Sequence, residues 1–298
     1  MAITLIAVIF ALALGHLAPG FAAALRRHAG WAAWLRWLDA HPPGAALWRG
    51  RGGIALALLP PLLAVGLLQY AAHSPLYGLL GLLFAVAALF HAWGPRDLDV
   101  DVAAIVDAPD GAARREAASR LGVAECDSPA MVEAVFAQAL HRWFGVLFWF
   151  LLLGASGAVL YRLVALSAEG ETADALPDGT RSGARRLFAL LDWLPAQAVA
   201  LSLTLVGNFD TVLAAWRDAG GTRLALDTAF LGAAARASVR SEIAEEAQEF
   251  IEEGAAPADA WMRLGELPEL RDAISLAWRV LLLWLAVLAL FVIAGWVS

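Results

Sequence analysis

The stretch "RRLFALLDWLPAQAVALSLTLVGNFD", residues 185–210, decides the fold class. From Leu187 to Gly207 it is almost wholly apolar, and a bilayer-spanning helix needs about 20 such residues. Yet Asp192, Pro195 and Gln197 interrupt it near one end, with Arg185 and Arg186 just before them. A carboxylate costs at least ~2.5 kcal/mol near the centre of a membrane helix, so Asp192 needs a partner. Arg185 stands two helical turns earlier, and Arg142 or Arg162 from the preceding apolar segment offers another cation. Pro195 lacks an N–H and crowds the carbonyl of Leu191, so a kink is expected there. The pocket so outlined comprises Asp192, Trp193, Pro195, Gln197, Asn208, Arg185, Arg142, Arg162 and His141. Two readings stay open. One is a ligand or signalling site at a helix break; the other is a structural kink in which Asp192 and an arginine hold two helices together.

Composition widens the membrane reading to the whole chain. Of 298 residues, 61% are hydrophobic and 16% charged, whereas soluble domains hold about 25% charged residues. Mean hydropathy is +0.67. Six apolar segments are expected to be helices: about 2–18, 53–70, 76–93, 143–166, 187–207 and 278–297. Runs of this length must be helical, because lipid offers backbone groups no outside partner. The expected fold class is all-α, a polytopic transmembrane bundle. Residues 1–298 then form a single membrane domain, with polar helical loops at 94–142 and 208–277 on the cytoplasmic side. All 21 basic residues are arginine, and only Arg162, Arg181, Arg185 and Arg186 fall on the side opposite those loops. If the first and fifth segments do not cross, four spans remain, the termini lie inside and residues 167–277 lie outside.

Charge and residue counts exclude several chemistries. A net charge of −7 leaves no basic stripe for nucleic acid. Without lysine there is no Walker A loop. Cys126, the single cysteine, rules out an internal disulfide or a CxxC site. The six histidines, His16, His28, His41, His73, His91 and His141, never fall four apart, so no metal site is read from them and no cofactor is expected. "GRGGIA" at 50–55 follows no strand and is not read as a nucleotide loop.

Local features complete the pass. Trp31, Trp34 and Trp37 recur at helical spacing with Arg26, Arg27 and Arg36 among them. That pattern suits a helix at the headgroup level, or one packed on its neighbours. Pro60-Pro61 should bend the second segment. Ser128 and Pro129 read as the N-cap and first position of a helix; carried from Pro129 to Leu166 it would run about 57 Å at 1.5 Å per residue, so it must bend or project. Gly154 and Ala158 have the four-residue spacing of close helix contact. Glu242, Glu245, Glu249 and Glu252 share a helix face, as a solvated stripe or a Mg²⁺ site. No internal repeat supports a transporter.

Four blocks carry a resemblance: "ARREAASRLG" (113–122), "VLFWFLLLGASGAVLYRL" (146–163), "RRLFALLDWLPAQAVALSLTLVGNF" (185–209) and "AAW" (214–216). In order and content they resemble the AmpE family, inner-membrane proteins associated with β-lactamase induction in Gram-negative bacteria. That family is in turn similar to the CobD/CbiB adenosylcobinamide-phosphate synthases, which join an amine to a carboxylate at the membrane with ATP. The synthase pattern has Glu-Asn-x-x-Asp-Gly just before the block that corresponds to 146–163. Here Ala137, Gln138 and His141 stand at its polar positions, and Gln197 stands where the related enzymes have Arg after Pro-Ala. The AmpE resemblance implies a non-enzymatic regulator of the bacterial inner membrane, with the bilayer and a cell-wall precursor or another membrane protein as partners. The alternative is an ATP-dependent, amide-forming membrane enzyme with an altered substrate, using Glu245 and Glu249, or Arg114 and Arg115, near phosphate.

Overall fold

The computed structural model describes residues 2–17, 28–42, 44–72, 78–94, 97–123 and 127–294. Cys126, His73, Arg26 and Arg27, the second-to-third turn at 73–77, and the side chain of His16 lie outside the described residues. Every described regular element is a helix, and no strand occurs among the described residues, so the chain is all-α as its apolar runs require.

The first helices are α1 (Ala2–Leu17), α2 (Ala29–Ala40), α3 (Ala45–Trp48), α4 (Gly53–Ala72) and α5 (Gly78–Ala92). The polar middle gives α6 (Leu98–Val106) and α7 (Gly111–Ser119). Next come α8 (Ser128–Ala139), a π-helical turn at Leu140–Phe144, α9 (Gly145–Leu153) and α10 (Ala155–Ala168). The rest is α11 (Gly170–Asp174), α12 (Asp178–Val206), α13 (Phe209–Asp218), α14 (Ala229–Glu252), α15 (Pro257–Arg263) and α16 (Pro268–Ile293).

Four helical stretches are long and apolar enough to cross a membrane: Gly53–Ala72, Ser128–Leu153, Asp178–Val206 and Pro268–Ile293. Leu79–Ala92 and Ala155–Ala168 are apolar but shorter. On α4, Leu59, Leu63 and Leu67 are 59%, 56% and 68% exposed and share one face at helical spacing. An apolar stripe left outward at membrane depth is what lipid contact requires. The chain is a multi-pass membrane protein.

Two compact units divide the chain. The first holds residues 1–95, 141–192 and 288–298; the second holds 96–140 and 193–287. In the first unit α10 packs against α4, α5 and α9, and α1 lies on α5. In the second, α14 packs on α8, α13 and α15, and α6 packs on α7 and α8.

The segment 143–166, read from sequence as one span, is two helices that fold back on each other. Gly154 has φ +68° and ψ −150°, a backbone state essentially confined to glycine. It reverses the chain, so Gly157 comes against the carbonyl of Trp149 and Gly145 against the Tyr161 ring. The run from Pro129 to Leu166, expected to bend or project, is interrupted twice, by the π-turn and by Gly154. At its start, Asp127 rather than Ser128 holds the extended N-cap position, with Ser128 and Pro129 in the first turn.

Prolines inside α4 and α12 free carbonyls four residues back, and tryptophans take them. Pro61 leaves Ala57 O without its helical donor, and Trp34 Nε1 donates to it at 3.0 Å. Pro195 does the same to Leu191 O, which accepts from Trp149 Nε1 at 3.0 Å. A membrane offers no water to satisfy such a group. Trp149→Phe should therefore cost about 1–3 kcal/mol, the desolvation penalty of one orphaned carbonyl. Thermal unfolding in detergent measures it; an unchanged midpoint would mean that Leu191 O finds another donor. Trp31 donates to Ser167 Oγ at 3.1 Å, so α2 packs inward through Trp31 and Trp34 and leaves Trp37 outward, 52% exposed.

Candidate functional site

The site is built on three helices of the first unit. α10 runs antiparallel to α12, so Tyr161 meets Asp192 and the carbonyl of Ala168, at the end of α10, meets Arg185. The π-turn before α9 adds His141. An extra residue per turn re-aims side chains there, and such turns are frequent at functional sites.

Asp192 is 5% exposed. Its Oδ1 accepts from the Tyr161 hydroxyl at 2.5 Å, and its Oδ2 lies 3.0 Å from His141 Nε2. The hydrogen-bonding assigns the Nε2 proton to the side facing Asp192. His141 Nδ1 then looks toward Glu169 Oε2, 3.9 Å away and beyond hydrogen-bond reach. Phe188 covers both rings, with centroids 4.9 Å from His141 and 5.8 Å from Tyr161. Access is graded across the cluster: Tyr161 is fully buried, the His141 side chain is 22% exposed and that of Glu169 is 62% exposed.

Asp192 is bonded directly by a phenol and an imidazole, and the Arg162 guanidinium acts electrostatically on both rings. Arg185 Nε instead donates to Ala168 O at 3.3 Å. Arg162 Nε donates to Ala92 O at 2.5 Å, closing the C-terminal end of α5. Both Arg142 and Arg162 are buried, 7% and 6% exposed, and the Arg142 backbone carbonyl accepts from Gly94 N at 3.3 Å.

The other residues read from sequence belong to the second unit. Gln197 donates to Gly221 O at 2.8 Å and accepts from Trp216 Nε1 at 2.9 Å, pinning the loop after α13. Asn208 is the N-cap of α13 and accepts from Thr211 N at 3.2 Å. Trp193 and Pro195 lie in α12. Arg114 is held by Glu266 at 3.0 Å and Arg115 by Gly111 O at 3.2 Å. On α14, Glu245, Glu249 and Glu252 are exposed, while Glu242 pairs with Arg279 at 2.8 Å. Burial raises the Glu242 carboxyl above its ordinary range, against the opposing pull of Arg279. Among the described residues, no three His, Cys, Asp or Glu side chains come together as metal ligands.

Tyr161, Phe188, Glu169 and Gly145 were not legible as site residues. Tyr161 lies within the stretch 146–163, but it meets Asp192 only because α10 and α12 run antiparallel. A Cβ on Gly145 would collide with the Tyr161 ring, so glycine there gives the phenol its place.

Fold and site define a multi-pass helical membrane protein with a buried carboxylate that orients a half-accessible histidine. Two curated proteins are similar to it, and both are named cobalamin biosynthesis protein CobD. The one from Chromobacterium violaceum is 33% identical over 197 residues, 59% of each chain. The one from Stutzerimonas stutzeri is 32% identical over 195 residues, 60% of this chain and 62% of its own. The matched part thus spans about 60% of the relatives' length. No protein-family profile and no solved structure matches the chain. These relatives overturn the expectation of a non-enzymatic, AmpE-type regulator: both carry a biosynthetic name.

Proposed function

We propose that the chain is a multi-pass enzyme of the bacterial inner membrane, of CobD kind, that joins an amine to a carboxylate with ATP on an altered substrate pair. The similarity to the two CobD proteins carries this reading. The altered substrate is read from the run 137–142, where Ala137, Gln138, His141 and Arg142 replace the acidic pattern of the synthases.

In such a reaction a carboxylate oxygen takes the γ-phosphoryl group of ATP and ADP leaves. The amine nitrogen then forms a bond to the acyl carbon, the acyl–phosphate bond breaks, and the nitrogen loses a proton. His141 is the base for that proton. Asp192 holds its Nε2–H, which leaves Nδ1 as the basic nitrogen on the accessible side. Tyr161 fixes the carboxylate from behind, and Phe188 keeps water off the ring pair. Glu169 stands where an incoming ammonium group would be attracted.

The test is ADP formation by the purified protein in detergent, with a protein-free cell extract as the source of amine and carboxylate. His141→Gln should slow it about 10²-fold or more, the usual contribution of a general base. An undiminished rate in a folded variant would remove His141 from the reaction.

A further inference from the structure

The second unit contains a half-open cavity of about 290 Å³ that the reaction centre does not use. Val132 of α8 and Ile243 of α14 are apolar walls, Trp261 of α15 is 57% exposed beside them, and Arg236, Arg240 and Glu269 supply charge. Its volume lies at the low end of small-molecule pockets. We infer that this cavity binds a soluble phosphate ester with a flat aromatic body, the chemistry of a nucleoside monophosphate.

Arg236 and Arg240 stand one turn apart on α14, so both reach the same mouth. Arg236 is paired with Glu133. Arg240 is exposed and makes no ion pair or hydrogen bond among the described residues, which leaves one guanidinium for a phosphate. Ser128 brings the start of α8 to the cavity, and the N-cap Asp127 makes no side-chain bond to that first turn. Pro129 has no N–H, so the uncapped amides of Ser128 and Ala130 are what that turn adds to the attraction for an anion. A simple anion site needs none of the rest. The exposed indole of Trp261 gives a flat ring a stacking surface, Val132 and Ile243 exclude water from its edge, and Glu269 is an acceptor for sugar hydroxyls.

A bilayer headgroup is the weaker occupant. Glu269 begins α16, and its main apolar run starts at Trp278, roughly 14 Å further along at 1.5 Å per residue. The hydrocarbon therefore lies beyond the reach of a ligand seated at Glu269. The inference stands independently of the amide-forming reading.

Isothermal titration of the full-length protein in detergent tests it with three probes: AMP, inorganic phosphate, and nanodiscs of anionic phospholipid. AMP should bind at least tenfold more tightly than phosphate. Arg240→Gln should weaken AMP at least tenfold, and Trp261→Ala should reduce AMP to the affinity of phosphate. Arg115→Ala and His141→Gln should leave AMP binding unchanged. Both Arg240 and Trp261 are exposed, so their variants keep the fold, which the melting temperature checks. Absence of AMP binding, equal binding by Arg240→Gln, or binding to the lipid discs alone would overturn the assignment.

Discussion

Replacing Asp192 by Ala should destabilise the protein by about 3–5 kcal/mol and abolish turnover. The carboxylate, itself 5% exposed, is the shared acceptor of Tyr161 and His141. Its removal leaves a phenol proton and an imidazole proton facing a cavity, at about 1–3 kcal/mol for each orphaned donor. Removal of one partner from a buried charged cluster falls in the same range. Asp192→Asn keeps one carbonyl acceptor, so it should lose turnover with a smaller loss of stability. Thermal unfolding in detergent and ADP release separate the two effects. If Asp192→Ala melts within a degree of the parent, Tyr161 and His141 do not depend on it.

The second large effect is at Gly145. Its methyl in Gly145→Ala would collide with the Tyr161 ring, which is fully buried and cannot swing outward. Overpacking of this kind costs about 1–3 kcal/mol, and moving the phenol off Asp192 adds the loss of that hydrogen bond. The pair Gly145→Ala with Tyr161→Leu should be less damaging than the sum of its members, since the smaller side chain returns the space. Full additivity would show that the two positions do not press on each other.

The sequence showed the membrane class plainly, because its apolar runs are too long for anything but helices in lipid. Asp192 and Pro195 stood out for the same reason: each is expensive in such a run, and each has its own compensation. The nature of that compensation was hidden. A buried acid points to a guanidinium, yet a phenol and an imidazole bond it directly, with Arg162 acting electrostatically on both rings. Tyr161 is 31 residues from Asp192 and meets it because α10 and α12 run antiparallel, while Gly154 turns α10 back on α9. In sequence that glycine looked like a packing residue; its backbone angles alone reveal the turn. Trp149 and Trp34 were likewise unreadable as caps for proline-freed carbonyls, since indole donors look the same in any apolar helix. The regulatory expectation came from resemblance, and resemblance to two related families could not say which chemistry this chain kept.

The most direct measurement is ADP formation by the wild-type protein with a protein-free extract, before and after the extract's primary amines are blocked by acetylation. An amide-forming enzyme should release ADP with the intact extract, fall to background with the blocked one, and recover when the amine fraction is added back. No ADP release, or release that ignores the amines, would contradict the account.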